Sequence, residues 1–233
     1  MKIIQLLSHF FSFSQSISSF NLEKQRSFIK EIASHYCKDR WAVRENISKE
    51  LEPVISEYSK GIILDLGTGG GVILSILQEK GIPAVGVDVV GEMLKEAQLK
   101  GIRSLVQSDG VKLPFEDGIF SVVLLWGNTL GPIPGEDNRA ALLQELRRVT
   151  SPDGFLAISV LNRFSSPLRA LMPHEYTFLY KSRSNDWISK ARGYNRYYSF
   201  GELKRQLKVA GFNNFYRLTK SSDSSLALLA YPN

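Results

Sequence analysis

The chain has 233 residues, 43% of them hydrophobic, and 29 Lys and Arg against 23 Asp and Glu give it a net charge of +6. That length supplies one substantial core rather than two independent catalytic domains. A lone cysteine, Cys37, excludes an intramolecular disulfide framework and any cysteine-held zinc or iron–sulfur centre, which suits a reducing cytoplasm, and no apolar run approaches the roughly 18 residues that a membrane span needs. A soluble, cytoplasmic protein without a metal site is expected.

Residues 1–20 begin with Lys2 and a broken apolar series, Ile3, Ile4, Leu6, Leu7, Phe10, Phe11 and Phe13. Gln5, Ser8, His9 and Ser12 interrupt it and no small-residue cleavage site follows, so an amphipathic helix or a frayed tail fits better than a signal peptide. From Leu22 to Tyr58 the apolar residues recur with a helical period, which predicts two helices, the second bent at Pro53.

After Gly61 the pattern changes. Short apolar runs at 62–66, 84–87, 104–107, 120–125 and 155–160 alternate with helical stretches at 70–80, 91–100 and 138–149. Continuous apolar runs separated by helices are what a parallel sheet covered on both faces requires. A turn at Ser151-Pro152-Asp153-Gly154, with Gly154 at positive φ, is expected before the fifth strand. Residues 162–198 show no clean period. A helix at 200–210 follows, then a stop at Gly211 and two strands, 214–218 and 226–230, expected to form an antiparallel hairpin closing the sheet edge. The fold expected is a doubly wound, mainly parallel seven-stranded α/β sheet with helices on both faces, preceded by a helical extension over residues 1–59.

The chemistry starts at Asp65-Leu66-Gly67-Thr68-Gly69-Gly70-Gly71, which follows an apolar strand and opens a helix. Small residues there let backbone approach a ligand at the carboxyl end of a strand. The dinucleotide fingerprint G-x-G-x-x-G/A demands Gly or Ala at position 72, where the chain has Val72. The acidic form D/E-x-G-x-G-x-G is met throughout, by Asp65, Gly67, Gly69 and Gly71, and here the chain resembles the class I S-adenosylmethionine-dependent methyltransferases, in particular their type 11, small-molecule group.

Asp88 lies 23 residues after Asp65, at the end of the second strand. A carboxylate there can accept both ribose hydroxyls, or it can cap the helix at Gly91. Gln107-Ser108-Asp109-Gly110 and Leu113-Pro114-Phe115 resemble the family segment in which an Asp meets the adenine amine, so the resemblance assigns that role to Asp109, with Val111 beside the ring. Over residues 60–233 it implies an S-adenosylmethionine-binding domain in which Asp65, Gly67, Thr68, Gly69, Gly71, Asp88, Val89, Asp109, Gly110 and Trp126 hold the cofactor. Ser121 stands where the family often has Asp. Glu145-Leu146-Arg147-Arg148-Val149 and Ala210-Gly211-Phe212 resemble structural segments of the same family.

Gly127-Asn128-Thr129 ends the fourth strand, where family members place the methyl group against its acceptor. Asn128 either orients the acceptor or caps the turn before Pro132. Residues 162–198 are the expected substrate lid. Seven basic residues there against two acidic ones give a local +5, interleaved with Tyr176, Phe178, Tyr180, Trp187, Tyr194, Tyr197 and Tyr198. That mixture suits an anionic acceptor, or equally aromatics packed on the sheet beneath a solvated charged face. His174, next to Glu175, is the candidate base, while His9 and His35 fall outside the core. The acceptor expected is small and metabolite-sized. RNA held by the basic, aromatic lid is the alternative, and a cofactor-binding protein without turnover is a further one.

Overall fold

The structure, a computed structural model, describes residues 21–165, 178–181, 186–189, 193–220 and 223–233. Helix α1 spans Leu22–Ala42 and starts at Asn21, whose side chain accepts from Lys24 N. Helix α2 spans Arg44–Glu57 and continues through Pro53, four residues before its end. The sequence places a bend there, and the helix runs as one span through it, without the backbone hydrogen bond that Pro53 cannot donate.

The parallel strands are β1 (Ile63–Leu66), β2 (Ala84–Asp88), β3 (Leu105–Gln107), β4 (Phe120–Leu125) and β5 (Thr150–Leu161). Between them run α3 (Val72–Glu79), α4 (Gly91–Leu99) and α5 (Glu136–Val149). Helix α6 (Phe200–Val209), β9 (Asn214–Arg217) and β10 (Ser225–Tyr231) complete the seven-stranded sheet, in the order β3-β2-β1-β4-β5-β10-β9. The strand order reverses between β1 and β4, the switch point at which open α/β sheets bind ligands.

Two cores sit on opposite faces, and strand parity sorts the residues between them. Leu64, Val123, Leu125, Leu156, Ile158 and Leu228 face α5 and α6. Ile63, Val122, Leu124, Ala157 and Leu229 face α2 and α3, where Ile47, Leu51 and Val54 meet them. Burial on both faces is why these strands read as unbroken apolar runs.

The two C-terminal strands pair antiparallel as expected and close this side of the sheet, strand β10 lying between β5 and β9. Its central residues are all buried, while β9 alternates exposed and half-buried and forms the edge. The predicted turn at Ser151–Gly154 is a bulge within β5, because Phe120 pairs with Thr150 and Val122 with Phe155, leaving the four residues opposite Ser121. Gly154 is needed for closeness rather than for positive φ, since a Cβ there would lie 2.5 Å from Ser121 O. The expected lid also differs, since β6 (Phe178–Lys181), β7 (Asp186–Ser189) and β8 (Gly193–Arg196) form a separate antiparallel sheet in the order β6-β7-β8.

Candidate active site

The turn after β1 is left-handed at three glycines, with φ of 76° at Gly67, 54° at Gly69 and 76° at Gly71. Each has a different neighbour. A Cβ on Gly67 would lie 2.4 Å from Thr129 Cγ2 and one on Gly71 would lie 3.0 Å from Ala97, whereas one on Gly69 meets nothing within 4 Å. Gly67 and Gly71 are therefore packing positions, and Gly69 faces open space where a ligand can approach the backbone.

Asp65 is buried beneath this turn and accepts from Thr68 Oγ1 at 2.7 Å. Burial pushes its carboxyl up to about 7, opposed by the Thr68 hydrogen bond. The folded state thus keeps a proton that the unfolded chain releases near pH 4, so stability falls as pH rises from about 4 to about 7 and levels off above. Asp65→Asn is expected to lack that component. Urea titrations of both proteins at pH 4.5 to 8 (roughly the window between the two pKa values) should show the mutant gaining relative stability with rising pH, and parallel curves would refute the assignment.

Asp88, at the end of β2, closes the turn from the other side. Its Oδ2 accepts from Gly69 N at 3.0 Å and its Oδ1 from Val90 N at 2.9 Å. Burial raises its carboxyl above the ordinary range, with these backbone hydrogen bonds opposing. Val90 is the N-cap of α4, so Asp88 also organises the helix start, and each oxygen keeps a lone pair for a ribose hydroxyl.

Asp109 follows β3. Its Oδ1 accepts from Val111 N at 3.2 Å and its Oδ2 from Arg26 Nη2 at 2.5 Å. The loop beyond it is fixed by α5, since Glu145 accepts from Leu113 N and Arg148 donates to Phe115 O and Leu113 O. Arg148 also pairs with Glu145 and Asp117. This is the structural work of the Glu145-to-Val149 segment.

At the end of β4, Gly127 N donates to Ser159 Oγ at 2.8 Å, and Asn128, the one non-glycine at positive φ among the described residues, has φ of 70°. Its Oδ1 accepts from Leu161 N and its Nδ2 donates to Asn195 Oδ1 at 2.9 Å. Of the two roles open to Asn128, holding the turn uses its amide, save one N–H.

A cavity of about 770 Å³ gathers these groups. Gly67, Gly69, Asp88, Val89, Asp109, Gly110 and Asn128 line it. Asp65, Thr68 and Gly71 support the turn from beneath without lining it. Trp126 does not line it and is buried with Ile47, Leu51 and Val54 on the α2 face. Parity along β4 carries that signal, because Val122, Leu124 and Trp126 alternate onto one face. His174 lies outside the described residues.

Sequence reasoning missed the wall supplied by α1. Gln25, Arg26, Ile29 and Arg40 line the cavity, as does His35, which is exposed at its rim and 3.6 Å from Asp39. The helix is tied to the glycine turn through Trp41 Nε1, which donates to Gly70 O at 3.0 Å. Cys37 is buried against Gly70, and its thiol is pushed up to about 11, mainly by burial. Among the described residues no group of three or more metal-ligating side chains converges, and no helix is long and apolar enough to cross a membrane.

A family model described as a methyltransferase domain matches residues 64–158. The Bacillus subtilis protein YqeM, named for methyltransferase similarity, is 32% identical over 142 residues, which are 59% of this chain and 54% of that one. Demethylmenaquinone methyltransferase of Corynebacterium urealyticum is 29% identical over 160 residues, 65% of this chain and 67% of that one. The chain spans about half the length of curated relatives such as YqeM. Among solved structures, the 1,6-didemethyltoxoflavin-N1-methyltransferase of Burkholderia thailandensis, crystallised with S-adenosylhomocysteine, aligns with a TM-score of 0.61 at 22% identity, covering 88% of this chain and 85% of that one. The seven-stranded order agrees with the fold of these matches. Over residues 64–158, then, the chain matches the methyltransferase-domain family, and its sheet has the fold of solved S-adenosylmethionine-dependent methyltransferases.

Proposed function

We propose that the protein transfers a methyl group from S-adenosylmethionine to a small, metabolite-sized acceptor, with an anionic group on the acceptor as the finer expectation. The cavity carries this reading: it runs from Asp88 and Asp109 to Asn128, Ile133 and Ser224, and its volume of about 770 Å³ is within the range of small-molecule sites.

In this reading Asp88 accepts the ribose hydroxyls, Asp109 accepts from the adenine amine, and the bare Gly69 lets the backbone come close. Arg40 lines the same cavity, beside Gly127, where an added Cβ would lie 3.2 Å from its Nη2. It supplies a cation for an anionic group on either ligand. When bound, the cofactor supplies an activated methyl on a good leaving group. The chain's own part is then alignment. The turn at Gly127–Thr129, held by Ser159 and Asn195, fixes the wall beside the acceptor, and the free N–H of Asn128 is available to it. Where the acceptor must lose a proton, His174 is the proposed base.

The test incubates the full chain with S-adenosylmethionine and a small-metabolite extract or total tRNA, at about 50 and about 200 mM salt, and follows S-adenosylhomocysteine by mass spectrometry. Product formed with the metabolite fraction at both salts is expected. Turnover that requires tRNA and collapses at the higher salt would replace the small acceptor by RNA.

A further inference from the structure

Helix α1 reaches the cavity through polar contacts made in its first turns. The Gln25 carboxamide, buried, donates to Tyr194 O and accepts from Tyr194 N at 3.0 Å. Lys30 pairs with Glu92 of α4 at 3.0 Å. Between these anchors Arg26 Nη2 meets Asp109 Oδ2 at 2.5 Å, while Val111 N holds the other oxygen. Both partners line the cavity.

The Asp109 side chain is 44% exposed, so on its own it would rotate and hydrate. A carboxylate in that state distinguishes bases poorly. Held at one oxygen by Val111 and at the other by Arg26, it keeps one orientation and still has a lone pair on each oxygen. Adenine presents an amine that such an acceptor bonds, whereas hypoxanthine presents a carbonyl oxygen that it repels.

We propose that Arg26, on the helical extension that precedes the domain, is the positioning residue that sets base specificity at the cofactor site by fixing the Asp109 carboxylate. This rests on the adenine role given to Asp109 above. Base recognition then depends on α1 being docked, because Gln25 and Lys30 hold the helix in the place from which Arg26 reaches across.

Calorimetric titration of the full chain with S-adenosylhomocysteine and S-inosylhomocysteine tests this, using wild type, Arg26→Ala and Arg26→Lys. Wild type should prefer the adenosyl ligand. Arg26→Ala should reduce that preference about tenfold, as expected for loss of a charge-assisted hydrogen bond. Arg26→Lys should restore part of it, since it keeps the charge without the planar fork. Added salt should lower the preference in wild type and not in Arg26→Ala, because this half-exposed pair is screened. A role in holding α1 alone would weaken both ligands equally and leave their ratio unchanged, which overturns the proposal, as does a ratio that rises. Wild type that binds neither ligand would instead sink the cofactor reading itself. Wild type that discriminates alongside an unchanged Arg26→Ala would sink only the role of Arg26.

Discussion

Asp88→Ala is expected to weaken S-adenosylhomocysteine binding by roughly 100-fold or more, the largest loss from any single cavity residue. Two effects combine. The ribose hydroxyls lose a charged acceptor, and Gly69 N and Val90 N lose the carboxylate oxygens they donate to at 3.0 and 2.9 Å. Each orphaned, partly buried N–H costs about 1–3 kcal/mol unless water reaches it, so the glycine turn loosens where the ligand must approach it. Asp88→Asn keeps one acceptor oxygen and should lose about tenfold. Isothermal titration, with circular dichroism to confirm folding, checks both. Binding by a folded Asp88→Ala protein within about threefold of wild type (under 1 kcal/mol) would remove Asp88 from the site.

Gly67→Ala is expected to lower stability by roughly 2–5 kcal/mol. A φ of 76° costs an alanine about 1–2 kcal/mol. Its Cβ would also meet Thr129 Cγ2 at 2.4 Å and Oγ1 at 2.7 Å, an overpacking worth about 1–3 kcal/mol. The terms separate in a double mutant. Thr129→Ala removes both clashing atoms, so Gly67→Ala in that background should keep the backbone cost and shed most of the steric one, a coupling of about 1–3 kcal/mol by urea denaturation. Strictly additive effects would mean that Thr129 is not what confines Gly67.

Both of these sites were legible in the sequence. Gly67, Asp88 and the strands around them could be placed because their demands are local. A positive φ calls for glycine, a carboxylate beyond a strand end sits at the ligand edge, and a strand buried on both faces must be apolar throughout. Ser151–Gly154 misled for a related reason. A turn and a four-residue bulge share the same composition, and only the approach of Ser121 O to Gly154 tells them apart. The resemblance places Trp126 at the cofactor, whereas the parity of β4 packs its side chain with Val122 and Leu124 on the α2 face.

From local pattern alone, then, the sequence determined the alternation of strands and helices, the acidic glycine turn, and the carboxylate at 88, while Asp109 was reached through the family resemblance. Tertiary structure decided that β10 lies inside the sheet, that the segment after β5 contains a second sheet, and that α1 walls the cavity. The pairs that matter there join Arg26 to Asp109 across 83 residues and Gln25 to Tyr194 across 169. The physical reason is that periodicity and turn chemistry act over a few neighbours, whereas an ion pair between a helix and a distant loop exists only once packing has brought them together.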